Sequence, residues 1–285
     1  MKNTRSIDLP KEIFKLPILE RFLARLTYNK NADQLIARLA PLYRAYPQNS
    51  IRKVNRNGIN YELDISDYME WLVFYGILVE PRNTLYQLLK VNDVALDVGA
   101  NIGEVSFNMA KCVGSSGVIH SFEPEPFIFS KLLKNNSLNS FVNIFLNNLA
   151  LGDKVQELYL QAQVENNRGG TRIQPDKGLG KKVTVSTIDI YLEEKRLQKL
   201  DVIKIDVEGF ELKVLQGAKD ALKKFKPILF IEVNNNNLID QGDSASALIN
   251  YLMESGYSEI ENAANKTKIS PLMNFESCHF DIVAR

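Results

Sequence analysis

Several kinds of sequence feature are scarce or missing in this chain. It has only two cysteines, Cys112 and Cys278, which lie far apart and lack the spacing of a metal site. This usage predicts ordinary reduced thiols and a cytoplasmic protein, and it argues against a disulfide scaffold. No run approaches the roughly 20 apolar residues of a membrane span. The amino terminus also lacks the long apolar core of a signal peptide, so we expect no transmembrane or secretory segment.

Net charge and internal repetition are also low. The formal net charge is +1, so bulk electrostatics give no reason to expect a nucleic-acid partner. The sequence shows no internal repeat and no low-complexity segment. Its 285 residues are 45% hydrophobic and 24% charged, which suits one globular domain with a smaller attachment. We expect an N-terminal helical region with a β-hairpin, residues 1–90, packed on a main domain of residues 91–285.

The first 50 residues carry a helical pattern of apolar and basic side chains. Apolar residues recur at helical spacing from Ile13 to Leu26, and basic residues from Lys11 to Lys30 fall among them. Such a pattern fits a basic amphipathic helix that binds a membrane surface or a partner. It also fits a helix that packs its apolar face on the main domain. We favour packing, because apolar helix faces usually belong to a core.

The next segment predicts a β-hairpin over residues 51–66. Its sequence, IRKVNRNGINYELDIS, alternates apolar and polar residues on both sides of Asn57 and Gly58, a strong signal for a two-residue turn. Two helices are predicted after the hairpin, at Asp67–Phe74 and Thr84–Lys90.

The stretch Val94–Gly103, VALDVGANIG, predicts a buried strand that enters a glycine-rich turn, with a helix beyond it. Gly99 permits a tight turn and leaves no side chain in the way of a ligand. The start of the helix offers unpaired N–H groups and the positive end of the helix dipole. Residues Val118–Glu123 predict the next strand. Its terminal acid follows the turn by about 20 residues, where nucleotide-binding folds place a carboxylate on ribose hydroxyls.

Strands and helices alternate from residue 94 to the end of the chain. Further strands are predicted at 142–147, 202–207 and 228–233, with helices at 103–113, 126–138, 211–224 and 244–255. This alternation predicts an α/β fold whose parallel sheet carries helices on both faces. Residues 257–261 and 280–284 are predicted to close the sheet as an antiparallel pair. A long polar loop at 161–182 breaks the alternation, and it fits either a mobile loop or a functional lid.

Six segments occur in an order that is found in a known family. They are VALDVGANIGEVSF, HSFEPEP, NNLALGD, VSTIDIYL, IKIDVEGFELKVLQGA and ILFIEVN. In this order, across about residues 55–235, they resemble the FkbM family of S-adenosylmethionine-dependent methyltransferases. The resemblance implies a three-layer, Rossmann-like class I methyltransferase sheet, mostly parallel with an antiparallel last strand. It also implies S-adenosylmethionine as the cofactor. Asn101 stands where the broader class has the middle glycine of the turn, which leaves an amide near the ligand.

The resemblance implies cofactor-binding roles around the turn. Asp97 is expected to accept a hydrogen bond from the cofactor's ammonium group, and Glu123 is expected to bind the ribose hydroxyls. Pro124 is expected to flank the adenine, and Asn148 to face its edge. The other cofactor-binding candidates are Gly99, Ala100, Asn101, Gly103 and Asp206. Asp97 and Glu123 have a structural alternative, because short acids at helix starts often act as caps.

Three acids are predicted to lie at the reacting end of the site: Asp206, Glu208 and Glu232. A hydroxyl is a poor nucleophile until a base removes its proton. A carboxylate at a strand end can do this, or it can hold a divalent cation that acidifies the hydroxyl. Asp206, Glu232 and Asn234 form an oxygen-rich set for a cation such as Mg²⁺, although we favour a site without metal. Glu208 also fits a helix-start acid before a permissive turn.

The leading prediction is an O-methyltransferase that acts on a hydroxyl of a sugar, a glycan or a secondary metabolite. A nicotinamide-dependent oxidoreductase is one alternative, and Asn101 counts against it because a dinucleotide turn has glycine there. A cofactor-binding scaffold without activity is another, and the acids at the strand ends count against it. His120 is expected to be a packed residue, and His279 is left out of the predicted site. A homo-oligomer is compatible with the sequence, which does not identify the acceptor.

Overall fold

The computed structural model describes residues 12–78, 82–162, 171–174 and 180–285. These residues fall into two units, of which the first ends at residue 78 and the second begins at residue 82. Helix α3, Arg82–Leu88, belongs to the second unit, whereas the sequence-based division groups it with the N-terminal region. The division at residue 90, and the packing of residues 1–90 on the main domain, stay predictions.

The described residues before the hairpin form an α-helix and several short elements. Helix α1 spans Pro17–Leu26, and strand β1 spans Lys30–Asn31. Short 3₁₀ helices lie at Ile13–Lys15, Ala37–Leu39 and Tyr43–Ala45. Asn29 and Asn49 have positive φ angles of 58° and 65°, through which a right-handed helix does not continue. The expectation of helices across the first 50 residues is therefore confirmed for α1, while residues 27–50 contain only short elements.

Helix α1 is buried on one side and exposes much of its apolar side. Leu23 is 1% exposed, whereas Leu16 and Phe22 are 56% and 57% exposed. On the buried side, the carboxylate of Glu20 accepts hydrogen bonds from Nε and Nη2 of Arg52 at 2.5 Å and 3.2 Å. Burial thus differs among the apolar residues of this segment, and the packing of the apolar face on the main domain stays a prediction. Lys11, which belongs to the predicted basic pattern, lies outside the described residues.

The predicted hairpin consists of β2, Ile51–Arg56, and β3, Ile59–Asp64. The two strands pair antiparallel, and Arg56 lies opposite Ile59 across the turn. Asn57 and Gly58 have φ angles of 52° and 78°, the left-handed conformations that a two-residue hairpin turn requires. The prediction of a hairpin with its turn at these residues is confirmed.

The first unit ends with helix α2, Tyr68–Tyr75, and strand β4, Ile77–Leu78. The side chain of Asp67 caps the helix by accepting the N–H groups of Met69 and Glu70. The helix ends at Gly76, whose φ angle is 63°. Strand β4 pairs with β1 in parallel.

Seven strands of the second unit form its central sheet. In spatial order they are β14 (Ile260–Asn262), β15 (His279–Ala284), β13 (Ile228–Asn234), β12 (Val202–Ile205), β5 (Val94–Val98), β6 (Val118–Phe122) and β7 (Ile144–Asn147). The strands from β13 to β7 are parallel, and β15 is antiparallel to both of its neighbours. The prediction of a mostly parallel sheet with an antiparallel last strand is confirmed.

Helices cover both faces of this sheet. After α3 they are α4 (Glu104–Val113), α5 (Pro126–Ser137), α6 (Ile188–Glu194), α7 (Glu211–Gln216), α8 (Lys219–Phe225), α9 (Asn235–Asp240) and α10 (Ala245–Glu254). Successive residues of β5 point to opposite faces. Ala95 shares a buried cluster with Met109 of α4, and Leu96 shares another with Leu248 of α10. This is the three-layer arrangement that the sequence predicts.

The structure corrects two helices. Residues 211–224, predicted as one helix, form α7 and α8, and between them the carbonyl oxygen of Gly217 accepts the N–H of Asp189 at 3.0 Å. A Cβ at Gly217 would lie 1.9 Å from the carbonyl oxygen of Gly152, which excludes a side chain there. Helix α9 was not predicted, and Asn234 caps its first turn. In the part of the chain that the structure describes, no helix has the length and apolar character needed to cross a membrane.

A second, smaller sheet lies in the segment that interrupts the alternation. Its spatial order is β10 (Thr171–Gln174), β9 (Gln156–Ala162), β11 (Lys181–Ser186) and β8 (Ala150–Leu151). Strand β10 falls inside the stretch predicted as a loop at 161–182, so that stretch is partly strand. Its remaining residues 163–170 and 175–179 lie outside the described residues, and the lid hypothesis for them stays a prediction.

Candidate functional site

The carboxyl ends of the parallel strands bring the predicted site residues to one edge of the sheet. Asp97 lies in β5, Glu123 follows β6, Asp206 follows β12, and Glu232 lies near the end of β13. Strand β15 runs in the opposite direction, so its first residue, His279, lies at the same edge. Ligands of open parallel sheets bind at this edge. The fold therefore places the cofactor candidates and the candidate acids on neighbouring strands.

The turn after β5 contains three residues with positive φ angles. Gly99, Asn101 and Gly103 have φ angles of 86°, 49° and 95°. A Cβ on Gly99 would lie 1.8 Å from the carbonyl oxygen of Asp206, so no side chain fits. Asparagine tolerates the left-handed conformation better than most residues do, which explains how Asn101 replaces the middle glycine. Its Oδ1 accepts the N–H of Ile102 at 2.8 Å and helps to hold the turn.

The buried carboxylate of Glu123 ties this turn to the one after β6. Its Oε2 accepts the N–H of Asn101 at 3.0 Å, and its Oε1 accepts the N–H of Glu125 at 2.9 Å. Burial raises the pKa of Glu123 to about 7, against the opposing effect of these two bonds. Glu125, and not Glu123, caps helix α5 by accepting the N–H of Ile128 at 2.7 Å. Because a carboxylate offers about four lone-pair sites, Glu123 retains acceptor capacity for a diol.

The remaining candidates of the cofactor half pack around these turns. The side-chain amide of Asn148 donates to the carbonyl oxygens of Glu123 and Pro124 at 2.9 Å and 3.0 Å. Ala100 is buried, and its N–H donates to the carbonyl oxygen of Phe122 at 2.9 Å. The structure thus brings the turn, the ribose candidate and the adenine candidates together. A contact between each of them and a cofactor stays a prediction.

A buried lysine that was not singled out from the sequence lies between two of the predicted acids. Lys204, in β12, is 5% exposed, and its Nζ donates to the carbonyl oxygen of Gly99 at 2.9 Å. The same Nζ lies 3.2 Å from Oδ1 of Asp97 and 3.6 Å from Oδ2 of Asp206. The contact with Asp97 is an ion pair without hydrogen-bond alignment. A lysine inside the apolar run VIKIDV is the sequence signal that identifies this position.

Asp97 is enclosed by the protein. Its side chain has no exposed surface, and its Oδ2 accepts the hydroxyl of Ser106 at 2.5 Å. Lys204 therefore supplies the cation beside this carboxylate. The predicted bond from Asp97 to the cofactor's ammonium stays a prediction.

The loop after β12 is braced by a second buried glutamate, Glu211. Its Oε1 accepts the N–H groups of Val207 and Gly209 at 3.1 Å and 3.0 Å. Burial raises the pKa of Glu211 to about 7, and the negative charge of Asp206 acts in the same direction. Glu211, the first residue of α7, thus holds the backbone of the loop that precedes its helix.

Glu208 has an unusual backbone conformation for its residue type. Its φ angle is 56°, a left-handed value that is uncommon outside glycine and asparagine. Its Oε2 accepts a hydrogen bond from the side-chain amide of Asn237 at 2.7 Å. Such local strain occurs frequently at ligand-binding sites. A catalytic role for Glu208 stays a prediction.

The carboxylate of Glu232 contacts a histidine that is not part of the predicted site. Nε2 of His279 lies 2.9 Å from Oε1 of Glu232. Burial and the charge of Asp206 raise the pKa of Glu232 to about 7, and the contact with His279 opposes this. The antiparallel pairing of β13 and β15 brings His279, which the sequence-based site leaves out, next to this candidate acid.

The cation hypothesis for Asp206, Glu232 and Asn234 gains no support from the geometry. Oδ1 of Asn234 accepts the N–H of Asn237 at 3.3 Å as the cap of α9. Oε1 of Glu232 is engaged by His279. Among the described residues, no group of three or more His, Cys, Asp or Glu side chains could hold a metal ion. The donor set as found does not fit a cation, and we derive no step through one.

His120 is packed as the sequence predicts. It is 3% exposed, its Nδ1 lies 2.8 Å from the hydroxyl of Tyr191, and its ring stacks on Phe145 at 5.1 Å. Burial lowers the pKa of His120 to about 4, so the ring is neutral at physiological pH.

Comparison with known proteins gives one family match and two curated relatives. The Methyltransferase FkbM domain matches residues 97–259, more than half of the chain. The chain is similar to hexuronic acid methyltransferase AglP of Haloferax volcanii, 28% identical over 160 residues that cover 55% of this chain and 62% of AglP. It is also similar to methyltransferase sdnD of Sordaria araneosa, 26% identical over 164 residues that cover 46% of this chain and 62% of sdnD. The matches span less than two thirds of the length of either relative.

The chain is also similar to solved structures. One is methyltransferase FkbM from Methylobacillus flagellatus KT, with 17% identity, coverage of 76% of this chain and 52% of that chain, and a TM-score of 0.46. Another is Aeropyrum pernix fibrillarin with bound S-adenosyl-L-methionine, with 16% identity, coverage of 86% of both chains, and a TM-score of 0.40.

Proposed function

Because the chain belongs to the FkbM methyltransferase family, we propose that it transfers a methyl group from S-adenosylmethionine to a hydroxyl group. The observation that carries the proposal is the turn Gly99–Gly103, with the carboxylate of Glu123 bonded to the N–H of Asn101. A glycine turn beside a strand-end carboxylate suits the ribose of a nucleoside cofactor. Both features lie inside the matched range, 97–259.

The residues of this half of the site fit the proposed cofactor. Gly99 and Gly103 let the turn pack closely against Asp206 and Phe107, where a Cβ would not fit, and so fix the backbone beside Glu123. Glu123 has acceptor capacity for the ribose hydroxyls, and Pro124 and Asn148 lie beside it for the adenine. Asp97 and Asp206 flank the buried Lys204 and would set the electrostatic field around the cofactor's amino-acid end.

The reaction places two demands on the chain's own residues. S-adenosylmethionine, when bound, supplies the methyl group on a sulfonium sulfur. The carbon–sulfur bond breaks as the carbon–oxygen bond forms, so the residues must hold the acceptor oxygen in line with that bond. They must also take the hydroxyl proton, because a neutral hydroxyl is a weak nucleophile. The carboxylates of Asp206, Glu208 and Glu232 are the candidate groups for these tasks on this side of the sheet.

We propose a sugar, glycan or secondary-metabolite hydroxyl as the acceptor. The similarity to AglP, a hexuronic acid methyltransferase, supports a sugar acid as the first probe. Cytoplasmic location, the absence of a nucleic-acid partner, and assembly as a homo-oligomer stay predictions.

Isothermal titration calorimetry tests the cofactor site. The wild-type protein is expected to bind S-adenosylmethionine and S-adenosylhomocysteine. Glu123→Ala is expected to weaken binding about tenfold to a hundredfold, since a hydrogen bond to a charged group contributes about 1.5–3 kcal/mol. Glu193→Ala, which removes an exposed acid on α6, is the matched control and is expected to bind like the wild type.

Other binding results would contradict the proposal. No binding of either ligand by the wild-type protein would refute it. Binding of NADH instead would favour the oxidoreductase alternative. Cofactor binding without methyl transfer to any hydroxyl would favour the scaffold alternative.

A further inference from the structure

His279 and Glu232 form a pair at the acceptor side of the sheet edge. Strands β13 and β15 pair antiparallel, so that Asn234 lies opposite His279 and Glu232 lies opposite Asp281. This diagonal relation brings Nε2 of His279 to 2.9 Å from Oε1 of Glu232. Strand β12 lies on the other side of β13 and ends at Asp206. In the sheet order, Glu232 therefore lies two strands, and His279 three strands, away from the turn after β5.

The two side chains differ in how far solvent, and hence an acceptor, can reach them. The side chain of His279 is 61% exposed, whereas that of Glu232 is 14% exposed. An acceptor hydroxyl that docks at this edge thus meets the imidazole before the carboxylate. The carboxylate lies behind it, in contact with one ring nitrogen.

The surroundings of Glu232 favour a contact with a cation or a hydrogen-bond donor. Asp206 and Glu211 face this carboxylate with negative charge, and burial removes its hydration. Together they raise the pKa of Glu232, and the contact with His279 acts in the opposite direction. A carboxylate in this setting accepts the N–H of Nε2, which leaves the lone pair of the neutral ring on Nδ1. It also stabilises the imidazolium that forms when the ring takes a proton.

We propose that His279 is the general base that takes the proton of the acceptor hydroxyl, and that Glu232 is the positioning residue that orients its ring. This inference rests on the proposed methyl transfer to a hydroxyl. The oxygen–hydrogen bond of the acceptor breaks, its proton passes to Nδ1 of His279, and an oxygen electron pair forms the bond to the methyl carbon. The carbon–sulfur bond breaks at the same time, and its electron pair leaves with S-adenosylhomocysteine. The imidazolium then releases the proton to water. Glu232 thereby acts through His279 and does not itself touch the acceptor.

The test uses the full chain with S-adenosylmethionine and p-nitrophenyl β-D-glucuronide or p-nitrophenyl β-D-glucoside. Release of S-adenosylhomocysteine gives kcat and KM, and calorimetry gives cofactor affinity. His279→Ala is expected to lower kcat about a hundredfold or more, the usual contribution of general base catalysis, with unchanged cofactor affinity. His279→Gln is expected to do the same and guards against a folding defect. Ser277→Ala, an exposed position two residues away, is the matched control.

Two further readouts separate a base from a structural side chain. Added imidazole is expected to restore part of the turnover of His279→Ala, because it fits the space that the side chain leaves. Added imidazole is not expected to restore the turnover of Glu232→Gln, because that variant still has the imidazole ring of His279. Glu232→Gln is expected to lower kcat by about tenfold or more and to leave the KM for the cofactor unchanged, because the wrong ring orientation and tautomer become accessible.

Each outcome decides one of the two claims. Wild-type turnover that His279→Ala and His279→Gln leave unchanged would overturn the role of His279 and leave the proposed function intact. A wild-type product that is an alkali-labile methyl ester of the glucuronide would contradict the proposed hydroxyl acceptor, and the role of His279 would fall with it, since a carboxylate acceptor needs no base. No turnover of either sugar by the wild type would contradict the proposed function, and the inference would fall with it.

Discussion

Removal of the buried ammonium of Lys204 should destabilise the protein strongly. In Lys204→Met, the fully buried carboxylate of Asp97 loses its cation at 3.2 Å and keeps only the hydroxyl of Ser106. The carbonyl oxygen of Gly99 loses a donor at 2.9 Å. Breaking a buried pair by removing one partner costs about 3–5 kcal/mol, and we expect the free energy of unfolding to fall by that amount. Urea denaturation followed by circular dichroism measures it.

Two companion variants identify the cause. In Asp97→Asn/Lys204→Met the carboxylate charge is also removed, so the loss should be smaller than in Lys204→Met alone. Lys199→Met removes an ammonium that is half exposed and lies 2.9 Å from Asp201, and it should cost less than about 1 kcal/mol. A loss below about 1 kcal/mol for Lys204→Met would refute the view that this lysine compensates the buried charge of Asp97.

Three further predictions follow from the same edge of the sheet. Gly99→Ala should lower the unfolding free energy by about 3 kcal/mol or more in thermal melts, since its Cβ would meet the carbonyl of Asp206 at 1.8 Å. Gly242→Ala, with a similar φ of 81° and nothing within 4 Å, should cost only about 1–2 kcal/mol, and equal losses would contradict the steric account. Burial raises the pKa of Glu211 in the folded state from 4.5 to about 7, so the folded state binds its proton more tightly than the unfolded state does. As the pH rises from about 4.5 to 7, Glu211 therefore lowers the free energy of unfolding progressively. Glu211→Gln should therefore gain stability relative to wild type at pH 8, by up to about 3 kcal/mol, and not at pH 4; urea titrations at the two pH values that show no difference would refute this. Dialysis against EDTA should leave methyl-transfer activity unchanged. A loss of activity that added Mg²⁺ restores would support the cation hypothesis instead.

The cofactor half of the site could be predicted because its signals are local in sequence. The strand, the glycine turn and the strand-end acid follow one another within Val94–Glu123, and each depends on the residue types at neighbouring positions. The alternation of strands and helices then predicts the sheet that the structure shows. The departure at Asn101 is explained by its left-handed backbone, a conformation that asparagine tolerates.

The acceptor half was harder to predict because its contacts join distant segments. His279 meets Glu232 only through the register of two antiparallel strands, and the sequence pattern does not specify register. Lys204 meets Asp97 across neighbouring parallel strands. Polar residues inside apolar strand runs mark such positions, because a buried charge requires a partner.

Local spacing also fails where backbones approach closely or where a helix face has no cover. The pattern of residues 211–224 is helical throughout, but Gly217 must lie against Gly152 and the helix divides there. Likewise the apolar spacing of α1 predicts a buried face, yet Phe22 is 57% exposed. Periodicity identifies the apolar side of a helix, and tertiary packing determines whether that side is covered.

Methyl transfer from S-adenosylmethionine to a hydroxyl is measured most directly by mass spectrometry of the reaction products. The wild-type chain, incubated with the cofactor and the two p-nitrophenyl glycosides, should yield a methyl ether and an equal amount of S-adenosylhomocysteine. Glu123→Ala should yield much less of both at limiting cofactor, and Glu193→Ala should match the wild type. Binding of the cofactor without a methylated product from either glycoside would contradict the account.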